Sequence, residues 1–158
     1  SPSANKKTEF INSLERELDV PITIEQDINK ILDNDIIITA TSSPSPLFDG
    51  DQINSGTHIN CIGAHTKESS EVDSTTIQRS KVVVDELNTA LREAGGITKD
   101  NVFAELADVI LGKTPTRTTD DDITLFKSMG LSLEDISTAN LIYNEAIAKG
   151  IGNNIELS

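Results

Sequence analysis

Apolar positions along the chain follow two periods, and the alternation between them sets the expected architecture. Phe10, Ile11, Leu14 and Leu18 fall at helical spacing and predict a helix to about residue 18. Pro21 interrupts that pattern, and the β-branched run Val20 to Ile24 predicts a short strand. Ile28, Ile31 and Leu32 share a face of a short helix over 25–33. The apolar run from Ile36 to Thr41 fits a strand buried on both faces, and the prolines between Ser42 and Gly50 mark a loop. His58 to Ile62 predicts another strand, ending at Gly63, and residues 71–79 a helix. Lys81 to Asp85 is the plainest strand of all. Residues 86–94 and 101–111 read as helices, stopped by Gly95-Gly96 and by Gly112. After a polar loop from Thr114 to Asp122, Ile123 to Phe126 predicts the last strand. A final helix from Ser132 to Lys149 carries Ile136, Ala139, Tyr143, Ala146 and Ile147 in one stripe and stops at Gly150.

Strands separated by helices imply parallel pairing with right-handed crossovers. The expected fold class is therefore α/β, a Rossmann-like doubly wound parallel sheet. Composition agrees, since 36% of the residues are apolar but only 3% are aromatic and none is Trp. The core must come from Ile, Leu, Val and Ala, the residue set of a parallel sheet under helices. At 158 residues the chain is long enough to bury such a core as one domain. A net charge of −13 repels nucleic-acid backbones and anionic lipid, so neither a nucleic acid nor a membrane is expected as a partner. No stretch approaches the ~18 apolar residues of a membrane span, and no apolar leader opens the chain. A cytoplasmic protein is the expectation.

The chemistry-bearing residues are few. Cys61 is the single cysteine, so no internal disulfide can form. It alternates with His58 in a strand; Cys61 reads as a small buried hydrophobe and His58 as structural. Asp120-Asp121-Asp122 lacks the spacing of a calcium loop and reads as a solvated acidic loop, so no metal is expected. A dinucleotide fold normally holds the pyrophosphate on a G-x-G-x-x-G turn, and no such motif occurs here. Either the sheet binds no dinucleotide or the motif lies upstream of Ser1. The chain opens Ser1-Pro2-Ser3 without an initiator Met, which leads to the expectation that the N-terminal βα unit is missing.

Several segments, in order, resemble the ornithine cyclodeaminase and mu-crystallin family, which includes archaeal alanine dehydrogenase-like members. They are Asp35-Ile36-Ile37-Ile38-Thr39-Ala40-Thr41-Ser42 and Gly56-Thr57-His58-Ile59-Asn60-Cys61-Ile62-Gly63-Ala64-His65. Lys81 to Asp85 with Gly95-Gly96, Ala104-Glu105-Leu106, and Ile123 to Leu131 complete the set. The G-T-H-I-N and T-x-F-x-S-x-G strings are specific in combination.

The resemblance implies roles. Thr39, Ala40 and Thr41 would pass the ribose and nicotinamide side of NAD or NADP, at the carboxyl end of a strand where ligands of such sheets sit. Ile62, Gly63 and Ala64 would approach the nicotinamide, and Ser128, Met129 and Gly130 would lie near its carboxamide. His65 stands where ornithine cyclodeaminases carry an aspartate that handles a proton. Histidine also does acid–base work near neutral pH, so His65 is the catalytic candidate. That departure, with Lys127 where many relatives have Asp, points to a dehydrogenase or ketimine reductase rather than a true ornithine cyclodeaminase.

In such a protein, residues 1–130 would be a partial NAD(P)-binding domain. Residues 131–158 would be a helix and tail packing on an N-terminal dimerisation and substrate domain absent here. That domain would grip the carboxylate of an amino or imino acid substrate and build a homodimer. Arg16, Arg79, Arg92 and Arg117 are the only arginines, and none lies in a motif loop. Whether the chain is itself an enzyme is therefore left open against two alternatives. One is a non-catalytic binder of NADP(H) or a small ligand of the crystallin type, and the other is an inactive truncated fragment. An open sheet edge and an uncovered final helix should make the isolated chain prone to association.

Overall fold

The computed structural model describes residues 4–63, 66–153 and 155, with the backbone alone for 4–8. Among the described residues, five strands form one sheet: β1 (Ile36–Thr39), β2 (His58–Cys61), β3 (Ser80–Val84), β4 (Val102–Glu105) and β5 (Ile123–Lys127). Their spatial order is β1-β2-β5-β3-β4 and every pairing is parallel. Among the described residues, six α-helices accompany them, α1 (Ala4–Leu18), α2 (Ile28–Leu32), α3 (Ser74–Arg79), α4 (Leu87–Glu93), α5 (Leu106–Ile110) and α6 (Ser132–Lys149), with a single 3-10 turn at Gly50–Gln52. The expected α/β class with a parallel sheet holds.

The register places Ile37, Ile59, Leu125, Val82 and Val102 in one row across the five strands. This row faces the core, where Ile77 of α3, Ala90 of α4, Leu32, Phe48 and Ile53 pack against it. Each such Ile, Leu, Val or Phe side chain contributes about 1.5–3 kcal/mol when withdrawn from water. Short polar caps start the covering helices: Asp73 accepts from Thr76 N, and Glu86 accepts from Asn88 N and Thr89 N.

The opposite face is largely uncovered. Ile36 and Ile38 are exposed, His58, Asn60 and Phe126 are half-buried, and Leu106 and Val109 of α5 border a hollow of ≈ 600 Å³. The run at Ile36 is therefore buried on one face only, not two. Its strand lies at the edge of the sheet, and no described helix covers its outer side chains. α6 has no buried residue along its whole length, so the Ile136–Ile147 stripe faces outward. Glu134 caps the start of α6 and Gly150, at φ +65°, ends it.

Two other expectations are corrected. Val20 to Ile24 forms no strand: Asp19 turns left-handed at φ +51° after α1, and Val20 and Ile24 stay about half exposed with no strand beside them. The helix expected over 101–111 is a strand followed by one short helix. Val102 to Glu105 pairs with β3, and only Leu106–Ile110 is helical. Sheet pairing along β3 overrides the helical spacing there.

Candidate functional site

Parallel strands of matched register bring their carboxyl ends to one edge. Thr39 lies beside Cys61, Cys61 beside Lys127, and Lys127 beside Val84. The turns that follow these four strands are therefore neighbours: Ala40-Thr41, Ile62-Gly63, Ser128-Met129-Gly130 and Asp85-Glu86. The sequence candidates Thr39, Ala40, Thr41, Ile62, Gly63, Ser128, Met129 and Gly130 thus share one edge. Ala64 and His65 lie outside the described residues.

Two buried carboxylates hold that edge, and sequence reasoning singled out neither. Glu71 is 2% exposed. Its Oε1 accepts from Thr41 N at 2.6 Å and Thr41 Oγ1 at 2.8 Å. Its Oε2 accepts from Gly63 N at 2.8 Å and Thr39 Oγ1 at 2.9 Å. Burial pushes the Glu71 carboxyl upward, but the donors from Thr41, Gly63 and Thr39 outweigh it and hold the pKa below the ordinary value. Gly63 is required by this packing, since a Cβ there would run into the Thr41 backbone. The Thr39 hydroxyl is turned inward to Glu71, whereas Ala40, Thr41 and Ile62 are exposed on the edge.

Asp85 does the same for the other turn. Its Oδ2 accepts from Met129 N at 2.5 Å, Gly130 N at 2.8 Å and Ser128 Oγ at 3.1 Å. Among the described residues, Asp85 Oδ1 is buried with no hydrogen-bond partner. The amides of Met129 and Gly130 are committed to Asp85 and leave their outer surface to other groups; Gly130, at φ +78°, has open space where a Cβ would stand. Lys127, 5% exposed, places Nζ 3.5 Å from Cys61 O and feels both Glu71 and Asp85. Burial lowers its pKa, only partly offset by Cys61 and those carboxylates.

The remaining candidates carry less chemistry. Burial pushes the Cys61 thiol up, away from the thiolate a nucleophile needs. His58 Nδ1 lies 2.8 Å from Thr124 Oγ1, a structural contact on the open face. The acidic loop is more ordered than expected: Asp122 accepts from Lys81 Nζ, Thr118 N and Thr119 N, which hold its carboxyl far below the ordinary range. All four arginines bond within the chain: Arg16 to Asn12 O, Arg79 to Gly50 O and Ile53 O, Arg92 to Glu93, and Arg117 to Gly56 O. None of these contacts lies at the strand-end edge.

Signals for the two carboxylates did exist. Asp85 is the acidic residue that ends the clearest strand, a position whose side chain can reach the turns of adjacent strands. Glu71 had only its place three residues before a helix, which does not announce a contact with Thr41 thirty residues away.

A five-stranded parallel sheet whose turns converge at the carboxyl ends, with helices on its covered face, is a Rossmann-like α/β fold. The chain belongs to the ornithine cyclodeaminase/mu-crystallin family, whose model matches residues 1–150. A Delta(1)-pyrroline-2-carboxylate reductase from Colwellia psychrerythraea is 39% identical over 126 residues, covering 73% of this chain and 40% of that protein. The Thermococcus litoralis Delta(1)-pyrroline-2-carboxylate reductase, solved with NADH and L-proline, superposes with a TM-score of 0.87 at 34% identity over 97% of this chain and 50% of its own. An archaeal alanine dehydrogenase dimer with bound NAD gives a TM-score of 0.85 at 28% identity, over 99% of this chain and 51% of its own. The chain therefore spans about half the length of these relatives.

Proposed function

We propose that the strand-end edge is the nicotinamide side of an NAD(P)-dependent enzyme that interconverts amino and imino acids. The carrying observation is the edge itself: four flush strand ends with a glycine packed on the neighbouring turn, in a chain of this family. Ala40, Thr41, Ile62 and Gly63 form the wall against the ring in this reading, Thr39 supports them from below, and the family resemblance assigns Ala64 to the same role. Ser128, Met129 and Gly130 face the carboxamide. A bound nicotinamide supplies or accepts the hydride at the carbon bearing nitrogen. The protein's share is to orient the reactants, keep water from the apolar surface of Ala40 and Ile62, and manage one proton. We assign His65 to hold that proton, since imidazole is the side chain that gives and takes protons near neutral pH.

Reduction of a cyclic imino acid is the favoured reaction, because the relatives include Delta(1)-pyrroline-2-carboxylate reductases. Histidine at position 65 also fits a reductase or dehydrogenase better than ornithine cyclodeamination. The carboxylate clamp belongs to a substrate domain beyond these residues, since each arginine here is engaged elsewhere. Residues 131–158 pack on that domain in this account, and a second copy joins through it, as the dimeric alanine dehydrogenase suggests.

The test is a fluorescence titration of the native polypeptide with NADH and NADPH, followed by turnover of Δ1-pyrroline-2-carboxylate. Binding with turnover supports the enzyme. Binding without turnover of any cyclic imine or 2-amino acid points to a crystallin-type binder. Absence of binding overturns the cofactor reading.

A further inference from the structure

Two of the four turns at the candidate edge are tied together by one side chain from neither of them. Glu71 lies in the segment between Gly63 and α3 and reaches back under both turns. Among the described residues its two oxygens divide the work: Oε1 serves Thr41, through amide and hydroxyl, while Oε2 serves Gly63 N and Thr39 Oγ1. Leu47 N also donates to the Glu71 carbonyl at 2.9 Å, which fastens the backbone of this residue to the loop that leaves Thr41. All four donors suit an ionised carboxylate, and charge-assisted bonds of this kind are about twice as strong as neutral ones.

We infer that Glu71 is a positioning residue, setting the gap between the Thr39–Thr41 turn and the Ile62–Gly63 turn on which dinucleotide affinity depends. This rests on the reading of the edge as the nicotinamide side. The geometry makes the dependence specific. Gly63 approaches the Thr41 backbone too closely for any Cβ, so the gap has no slack in the closing direction. In the opening direction Glu71 supplies a hydrogen-bonded tie to each turn. Glutamine has the same shape but one acceptor oxygen. Its NH2 group must face either Thr41 N–H or Gly63 N–H, donor against donor, so one turn is released whichever way the amide points.

The experiment compares the full native chain with Glu71→Gln and Asp73→Asn. Asp73 is the control carboxylate: it accepts from Thr76 N, Thr76 Oγ1 and Gly50 N, away from the edge. NADH affinity is read by fluorescence titration, and amide hydrogen exchange is followed at Thr41 and Gly63. Glu71→Gln is expected to weaken NADH binding about tenfold or more, the loss of one charge-assisted bond. Exchange should quicken at Thr41 or Gly63 while circular dichroism stays native. Asp73→Asn should leave both readouts unchanged, which a merely destabilising effect would not do. If Glu71→Gln does not fold, Thr39→Val removes one donor to Oε2; a several-fold loss of affinity supports the tie, and unchanged affinity overturns it. Normal NADH binding by a folded Glu71→Gln overturns the positioning role and leaves the cofactor reading intact. A wild-type chain that binds neither NADH nor NADPH overturns the cofactor reading and this role with it.

Discussion

Replacing Asp85 with alanine should loosen the turn that follows β5 and lower stability by a predictable amount. The Oδ2 atom receives Met129 N, Gly130 N and Ser128 Oγ at 2.5, 2.8 and 3.1 Å. Hydrogen bonds to charged groups contribute about 1.5–3 kcal/mol each, but the three are not additive. Gly130 is exposed and Met129 half-buried, so water would take over part of what the carboxylate now does. Removing Asp85 also relieves the cost of burying Oδ1, which has no partner among the described residues. The net loss should be about 2–3 kcal/mol, equivalent to roughly 4–12 °C in Tm for a chain of this size. Urea unfolding followed by circular dichroism measures it, and amide exchange at Met129 and Gly130 shows where the loss arises. A change within about 0.5 kcal/mol, the range of ordinary surface substitutions, would refute the argument. The turn would then be held by its own backbone, with the left-handed Gly130 sufficient.

Leu125→Ala removes a side chain 1% exposed at the middle of the aligned row and should cost about 2–5 kcal/mol in urea unfolding; a loss under 1 kcal/mol, on the order of a surface change, would contradict the register. Hydrogen bonds from Asn88 N and Thr89 hold the Glu86 carboxyl at about 2, below its ordinary 4.5. Its contribution is then present above about 4.5 and lost as pH falls from there toward 2, so Glu86→Gln should flatten part of the stability slope in that window. An unchanged slope would show that the cap is not formed in solution. Ser replacing both Ile136 and Tyr143 on α6 should alter stability by less than about 0.5 kcal/mol yet reduce concentration-dependent light scattering, because both side chains are exposed. A large loss of stability would mean that α6 packs on the sheet.

Local patterning carried the sheet wherever a strand stood alone. Val82 to Val84 is an apolar run bounded by polar residues, Ile123 to Phe126 lies between Asp122 and Lys127 and is apolar but for Thr124, and both are strands in the core. It failed where two structures met inside one run. Val102 to Ile110 fits helical spacing, but its first residues pair with β3 and only the last five coil. Val20 to Ile24 has the propensity of a strand without a partner, and propensity alone does not make one. Of the edge, the family strings gave the turns, because these are contiguous in sequence. Of the carboxylates beneath them, Asp85 was marked by its place at the end of a strand, but Glu71 was not legible, since it meets Thr39 and Thr41 only through the crossover between β2 and β3. Charge next to a buried threonine is invisible until the chain has folded.

The place of β5 has a consequence for how the polypeptide is made. It is the last of the described strands in sequence yet stands in the middle of the sheet, between β2 and β3. During synthesis β1 and β2 can pair first, and β3 and β4 later, but no strand pairs the two halves of the sheet until Ile123–Lys127 leaves the ribosome. At roughly 5–20 residues per second, the first pair waits on the order of several seconds with an apolar flank open. Nascent chains stalled before Ile123 should therefore be targets for chaperones, and those stalled well after Lys127 should not.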